Sequence, residues 1–190
     1  MAGAGAGRSS LRGVAASWAA LAAIAVPVAL AGSPALKQEN IPTYGVALKI
    51  PARWIGLDSS RMAVQHVAFA AADPVDTGGF HANLNLLVSD VPAGTPIRTW
   101  LLGNSAAKYL RIGTLQTVRI NGATALEYES SKLEKSGGVP LYTLEVAFSH
   151  NGKAYLFTYT APAGSKAKFR PSFLASAQTI QFVVTPPGTA

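Results

Sequence analysis

The chain has 190 residues, 49% of them hydrophobic, enough to fill one core and leave room for a leader. It has no cysteine, which excludes disulfides, thiolate metal sites, thiol catalysis and lipidation through cysteine. Its formal charge of +7 is scattered, with only Lys166, Lys168 and Arg170 clustered and no basic run interleaved with aromatics, so nucleic acid is disfavoured as a partner while an anionic surface stays open.

Residues 1–35 read as an export signal. Arg8 and Arg12 form its positive end, Val14 to Leu30 its apolar run, and Ala29-Leu30-Ala31 a cleavage site before Gly32, with Ser33-Pro34-Ala35 as a second choice. The expected location is therefore periplasmic or extracellular. The alternative is a single uncleaved N-terminal membrane anchor, because the run is near the lower limit of a span. Leu30-Ala31-Gly32-Ser33 has the shape of a lipoprotein box with serine where cysteine belongs, and a hydroxyl cannot become the thioether.

Residues 36–43 read as a polar linker, 44–184 as one domain and 185–190, with Pro186-Pro187, as a disordered tail. Tyr44 to Ile50 alternates as a first strand, which Pro51 stops because it cannot donate to a ladder. Trp54 follows as a lid on the core. Met62 to Ala71 predicts a second strand, and Ala72 to Gly79 a loop containing Asp73-Pro74 and Gly78-Gly79. Phe80 to Ser89 predicts a third, with Phe80, Ala82, Leu84, Leu86 and Val88 on one face and His81, Asn83 and Asn85 on the other.

Thr95-Pro96 opens a helix expected to run to Ile112 and stop at Gly113, its apolar side being Ile97, Trp100, Leu101, Tyr109 and Leu110. Leu115 to Ile120 and Ala123 to Glu129 form a hairpin about Asn121-Gly122, and Ser130 to Gly138 a polar loop. The strongest signal is Leu141 to His150 and Lys153 to Thr160 about Asn151-Gly152. A two-residue loop fixes its register: His150 opposite Lys153, Phe148 opposite Tyr155, Val146 opposite Phe157, Leu144 opposite Tyr159. One face then carries Leu144, Val146, Phe148, Tyr155, Phe157 and Tyr159; the other has Thr143, Glu145, Ser149, Ala154, Thr158 and Thr160. A second helix follows Gly164-Ser165, with Pro171 in its first regular turn and Phe173, Ala177 and Ile180 at helical spacing. The expected class is α+β, an antiparallel sheet of about six to seven strands flanked by helices.

The polar row His81, Asn83, Asn85 is the candidate site. If the second and third strands pair across Ala72 to Gly79, His66 falls near Asn85 on the same face. Two imidazoles and two amides there suit a small polar ligand or a metal. The plainer alternative is a polar sheet face whose amides bond nearby backbone. No carboxylate completes a metal set, so no metal and no cofactor is assigned. Asp73 and Asp76 are too few for a calcium site and read as turn residues, and Glu127 and Glu129, alternating on one strand, read as a solvated edge. There is no Gly-x-Ser-x-Gly elbow, no phosphate loop and no His-Glu-x-x-His, so no catalytic residue is named and an enzyme is not expected.

Tyr44-Gly45-Val46-Ala47-Leu48-Lys49-Ile50-Pro51-Ala52-Arg53-Trp54, then Ala82-Asn83-Leu84-Asn85-Leu86-Leu87-Val88, the two Asn-Gly turns and the closing helix with Phe173 come in an order that resembles the PsbP-like superfamily. PsbP itself and the DcrB-type and LpqN-type envelope proteins belong to it. The resemblance covers residues 44 to 182. It implies an antiparallel sheet flanked by helices and an exported, non-catalytic binding or adaptor role, with a protein or envelope component as partner and a monomer as the expected state. It carries no functional residue over by position. The alternative function is a small polar ligand- or metal-binding module using His66, His81, Asn83 and Asn85, with a hydrolase as the residual one.

Overall fold

The structure is a computed structural model and describes residues 34–58, 67–92, 94–104, 110–133 and 138–183. The leader up to residue 33, Met62 to His66, Tyr109 and the tail from residue 184 lie outside the described residues.

The fold is built on the expected hairpin. Strands β8 (Pro140–His150) and β9 (Lys153–Pro162) turn at Asn151 (φ 47°) and Gly152 (φ 73°), and all four predicted pairs are in register. Both turn residues take positive φ because that turn matches the twist of the flanking strands. The same chemistry at Asn121 (φ 47°) and Gly122 (φ 82°) joins β6 (Leu110–Ile120) to β7 (Ala123–Leu133). With β3 (Ile55–Gly56), β4 (Val67–Asp76) and β5 (His81–Asp90), these make a seven-stranded antiparallel sheet in the order β3-β4-β5-β9-β8-β7-β6.

A second sheet departs from expectation. Leu36–Ile41, read as linker, is strand β1, and it pairs with β2 (Val46–Pro51) from Leu36 opposite Pro51 to Ile41 opposite Val46. Tyr44 sits in a 3-10 turn between them rather than in a strand. β10 (Gln181–Phe182) closes this three-stranded sheet on the other side of β2.

Other boundaries move for similar reasons. β4 runs on to Asp76, since pairing with β5 outweighs the local turn signal of Asp73-Pro74, and the loop shrinks to residues 77–80. Helix α1 is described over Ile97–Asn104, and Leu110 to Ile112, expected in the same helix, pair with Glu129 to Ser131 on β7 instead. At Leu110 to Ile112 cross-strand pairing outweighs the helical signal. β7 in turn extends to Leu133, where a polar loop was expected. Helix α2 (Lys166–Ala177) carries Pro171 within it, not in its first turn.

The main core lies between the large sheet on one side and α2 with the small sheet on the other. Leu84 and Leu86 from β5, Val146 and Phe148 from β8 and Phe157 and Tyr159 from β9 meet Phe169, Phe173, Leu48, Ile50 and Trp54. The opposite face of the sheet is covered as well. Leu101 of α1 packs with Leu126, Tyr128, Ala147 and Leu156, so the central hairpin is buried on both sides.

Candidate functional site

On that opposite face, alternation along the strands and the observed registers bring polar residues together in two rows. Asn83 pairs with Thr160, Thr160 with Thr143 and Thr143 with Ser130; Asn85 pairs with Thr158, Thr158 with Glu145 and Glu145 with Tyr128. Cross-strand partners share a face, so these eight side chains form one polar floor spanning β5, β9, β8 and β7. The next residues along, Leu87, Leu156, Ala147 and Leu126, are the apolar half under α1.

The floor is sealed at its β7–β8 end. Glu145 is 1% exposed and accepts a hydrogen bond from the Tyr128 hydroxyl, and Ser130 and Thr143 bond each other through their hydroxyls while fully buried. A buried carboxylate costs free energy unless it is bonded in this way. The floor opens toward β5. Asn83 and Asn85 are half-buried and His81 is exposed. Asn83 Nδ2 donates to the His81 carbonyl at 3.0 Å, and Asn85 Nδ2 donates to Asn83 Oδ1 at 3.3 Å. Asn85 Oδ1 is buried and has no hydrogen-bond partner among the described residues. An orphaned acceptor at the border between sealed and open floor is where an incoming donor gains most.

His81, Asn83 and Asn85 therefore share a face, as period two requires. His66 lies outside the described residues, and the β4 residue opposite Asn85 is Ala70, so the expected register of His66 against Asn85 does not hold. The cause is the position of the turn: β4 runs on to Asp76, which pairs with His81, so the loop is not at Ala72 to Gly79, and the register shift between Ala72 and Asp76 recovers only part of the difference. His81 Nδ1 instead lies 2.8 Å from the Asp73 carbonyl. Asp76 accepts the backbone N–H groups of Gly79 and Phe80, the turn role expected of it. Asp73 is fully buried, bonded by the Arg53 guanidinium and the Val75 N–H. Among the described residues no three His, Cys, Asp or Glu side chains gather as a metal set. Sequence reasoning missed Ser130, Tyr128, Thr143 and Glu145 as members of the floor. The signal for the last two was available: once Asn151-Gly152 sets the register, Thr143 and Glu145 must face Thr160 and Thr158.

Glu127 and Glu129 are not a free solvated edge. They share the α2 face of the sheet, where Glu129 binds Lys166 Nζ at 2.5 Å and Arg170 Nε at 2.7 Å. Burial raises the Glu129 pKa, but the hydrogen bonds from Lys166 and Arg170 outweigh it and leave the carboxyl below its usual 4.5. Burial, then the Glu129 charge, raises that of Glu127 against the opposing Arg170. A lowered folded pKa stabilises above the unfolded value and is lost as pH falls through the folded one. The Glu129 contribution should thus be full above pH 4.5 and disappear below it, while Glu127 works in the opposite sense. Glu129→Gln is expected to flatten the fall in urea midpoint on acidification from pH 5 toward roughly pH 3; an unchanged slope would assign the acid loss elsewhere.

No protein-family profile matches the sequence, and no curated protein matches it. A seven-stranded antiparallel sheet with α2 and a small sheet on one face and α1 on the other is an α+β sandwich. Solved structures narrow that class. The chain is similar to the cyanobacterial PsbP (CyanoP) of Synechocystis sp. PCC 6803, with a TM-score of 0.59 at 17% identity over 80% of this chain and 95% of that one. It is similar to LpqN of Mycobacterium tuberculosis, involved in cell envelope biogenesis, with a TM-score of 0.53 at 12% identity over 74% and 83%. It is also similar to the Saccharomyces cerevisiae Ran-binding protein Mog1p, with a TM-score of 0.54 at 7% identity over 80% and 97%. The fold is PsbP-like. At these identities the likeness speaks for the fold alone.

Proposed function

We propose that this is an exported, non-catalytic binding or adaptor domain of PsbP-like type, acting at the cell envelope through the open end of its polar floor. The observation that carries the reading is the buried Asn85 Oδ1, without a hydrogen-bond partner among the described residues, beside half-buried Asn83 and exposed His81. An amide row that both donates and accepts suits a partner's backbone or a polar ligand better than a bare cation. The hydroxyls and carboxylate that a catalyst would need are turned toward one another, Tyr128 to Glu145 and Ser130 to Thr143. LpqN, involved in cell envelope biogenesis, is among the similar folds, which fits an envelope role.

The test uses the exported protein as bait on envelope extract. Its N-terminus is expected near Gly32 or Leu36; Met1 or Ala2 on a membrane-bound product would replace export by anchoring. His81→Ala and Asn83→Ala are expected to weaken capture by about tenfold or more, the loss of one or two hydrogen bonds to the partner, with the thermal midpoint nearly unchanged. A midpoint lowered by many degrees, with capture by the folded fraction intact, would make the row structural and overturn the site. A stoichiometric metal in the purified protein would favour the metal-binding alternative.

A further inference from the structure

The two Asn-Gly turns are alike in backbone and unlike in use. Asn121 and Asn151 both stand at φ 47°. Asn121 uses its side chain to hold the end of α2: Nδ2 donates to the Gln178 carbonyl at 3.2 Å and to the Ile180 carbonyl at 2.9 Å. The Asn151 side chain makes no hydrogen bond among the described residues, and it lines a pocket of about 320 Å³ where the end of the β8–β9 hairpin meets the small sheet.

The pocket's walls are fixed by both sheets. Phe182 of β10 pairs with Val46 of β2, and the Val183 N–H donates to the Gly45 carbonyl at 2.9 Å. Gly45 takes φ 60°, and a Cβ there would lie 3.1 Å from the Val183 carbonyl oxygen, so the position favours glycine. Phe182 is thereby seated against the hairpin end. The His150 imidazole lies flat on its ring, with centroids 4.1 Å apart and planes 16° apart. Tyr155 meets Phe182 at 4.9 Å and 70° and forms the adjoining wall, its hydroxyl donating to the Tyr44 carbonyl at 3.3 Å.

Three polar groups around this pocket are uncommitted among the described residues: the His150 imidazole, the Asn151 amide and the Tyr44 hydroxyl. With the imidazole neutral, each can both donate and accept. No Lys, Arg, Asp or Glu lines the pocket, and Lys153, opposite His150 in the hairpin, is paired with Asp90 at 2.5 Å. A charged ligand therefore gains little here. Phe182 covers one face of the imidazole, so the half-buried His150 offers the pocket its other face and its edge. A stack already two rings deep takes a third flat ring readily, and an amide beside it can read a donor–acceptor edge, as asparagine does with adenine.

We propose that the His150–Asn151 pocket binds a neutral, planar heteroaromatic ring of the nucleobase class. The ring stacks on His150, the Asn151 amide and the Tyr44 hydroxyl bond its edge, and the volume suits one ring system, at the low end for ligand pockets. The site shares no residue with the polar floor and holds or fails independently of it.

Adenosine is titrated into the purified full chain and followed by calorimetry and by saturation-transfer difference NMR. Saturable binding is expected below about 10 mM, the scale of one stacked base with one or two hydrogen bonds, and saturation should reach the adenine protons more strongly than the ribose protons. His150→Ala removes the platform and should weaken binding by about tenfold or more. Asn151→Gly keeps a residue that takes positive φ in the turn, so the thermal midpoint should stay nearly unchanged while binding weakens by about three- to tenfold. Absence of saturable binding up to about 10 mM would overturn the proposal, as would binding that both variants retain in full. Methyl glucoside has a polar rim without a flat ring; binding as tight as that of adenosine would assign the pocket to sugars and overturn the planar ring. Should a variant fail to fold, the unmodified chain still decides, because ribose protons saturated more strongly than adenine protons would overturn the stack.

Discussion

Phe173→Ala is expected to destabilise the domain by about 3–5 kcal/mol, the range for an aromatic removed from a core that cannot collapse around the loss. Phe173 is 0% exposed and is the ring on which four others converge. It meets Trp54 edge-on at 6.0 Å, stacks with Tyr142 at 6.2 Å and Phe169 at 5.9 Å, and tilts against Tyr159 at 5.3 Å. These residues belong to the loop after β2, to β8, to β9 and to α2, so the cavity would open where three layers join. α2 is also pinned by polar contacts that hold the gap open: the Tyr159 hydroxyl bonds Ser176 Oγ at 2.9 Å, and Ser176 Oγ donates to the Lys49 carbonyl at 2.5 Å. Leu174→Ala, at a half-buried neighbouring position, should cost less than half as much. Urea midpoints at unchanged slope test the pair. A loss under about 1.5 kcal/mol at Phe173 would mean that α2 moves in to fill the space.

What could be read from the sequence was what short-range chemistry decides. Asn121-Gly122 and Asn151-Gly152 fixed two hairpins and their registers, because positive φ at both positions leaves few alternatives. Period two separated His81, Asn83 and Asn85 from the apolar side of β5. What was not legible depends on distant partners. Leu-Lys-Gln-Glu-Asn-Ile carries no apolar alternation, and β1 exists because β2 offers it an edge. Asp73-Pro74 looks like a turn, yet a ten-residue β4 passes through it, with Asp73 buried and bonded by Arg53. Thr143 and Glu145 look like the watery side of a hairpin. Only the neighbouring strand β7 and the helix α1, set by the whole sheet order, show that this side is covered. Two of the eight side chains of the polar floor, Asn83 and Asn85, were therefore visible as a row on one strand, and the other six joined them only once four strands were placed side by side.

The second large effect is expected at Arg53. Its guanidinium is the charged partner of a carboxylate that water does not reach, since the Asp73 side chain is 0% exposed. Arg53→Ala removes that partner and leaves the Val75 N–H, at 3.0 Å from Asp73 Oδ1, as the remaining donor to the carboxylate among the described residues. Stripping one member from a fully buried pair costs about 3–5 kcal/mol. Here the arginine is half in water and part of its attraction is screened, so a loss of about 2–3 kcal/mol is expected. The loss should depend on the charge left behind. In an Asp73→Asn background, where the side-chain oxygen still accepts from Val75, Arg53→Ala should cost under about 1 kcal/mol, giving a coupling of about 1–2 kcal/mol. Urea midpoints of the four proteins close the cycle; additive losses would show that the pair is incidental to stability. The same segment matters to the polar floor, because the Asp73 carbonyl is the group that His81 Nδ1 faces. If a stranded carboxylate shifts β4 there, His81 loses its anchor, and Arg53→Ala should weaken envelope capture even though Arg53 itself lies on a different surface. Restored capture in the Arg53→Ala, Asp73→Asn double variant would trace that loss to the buried charge.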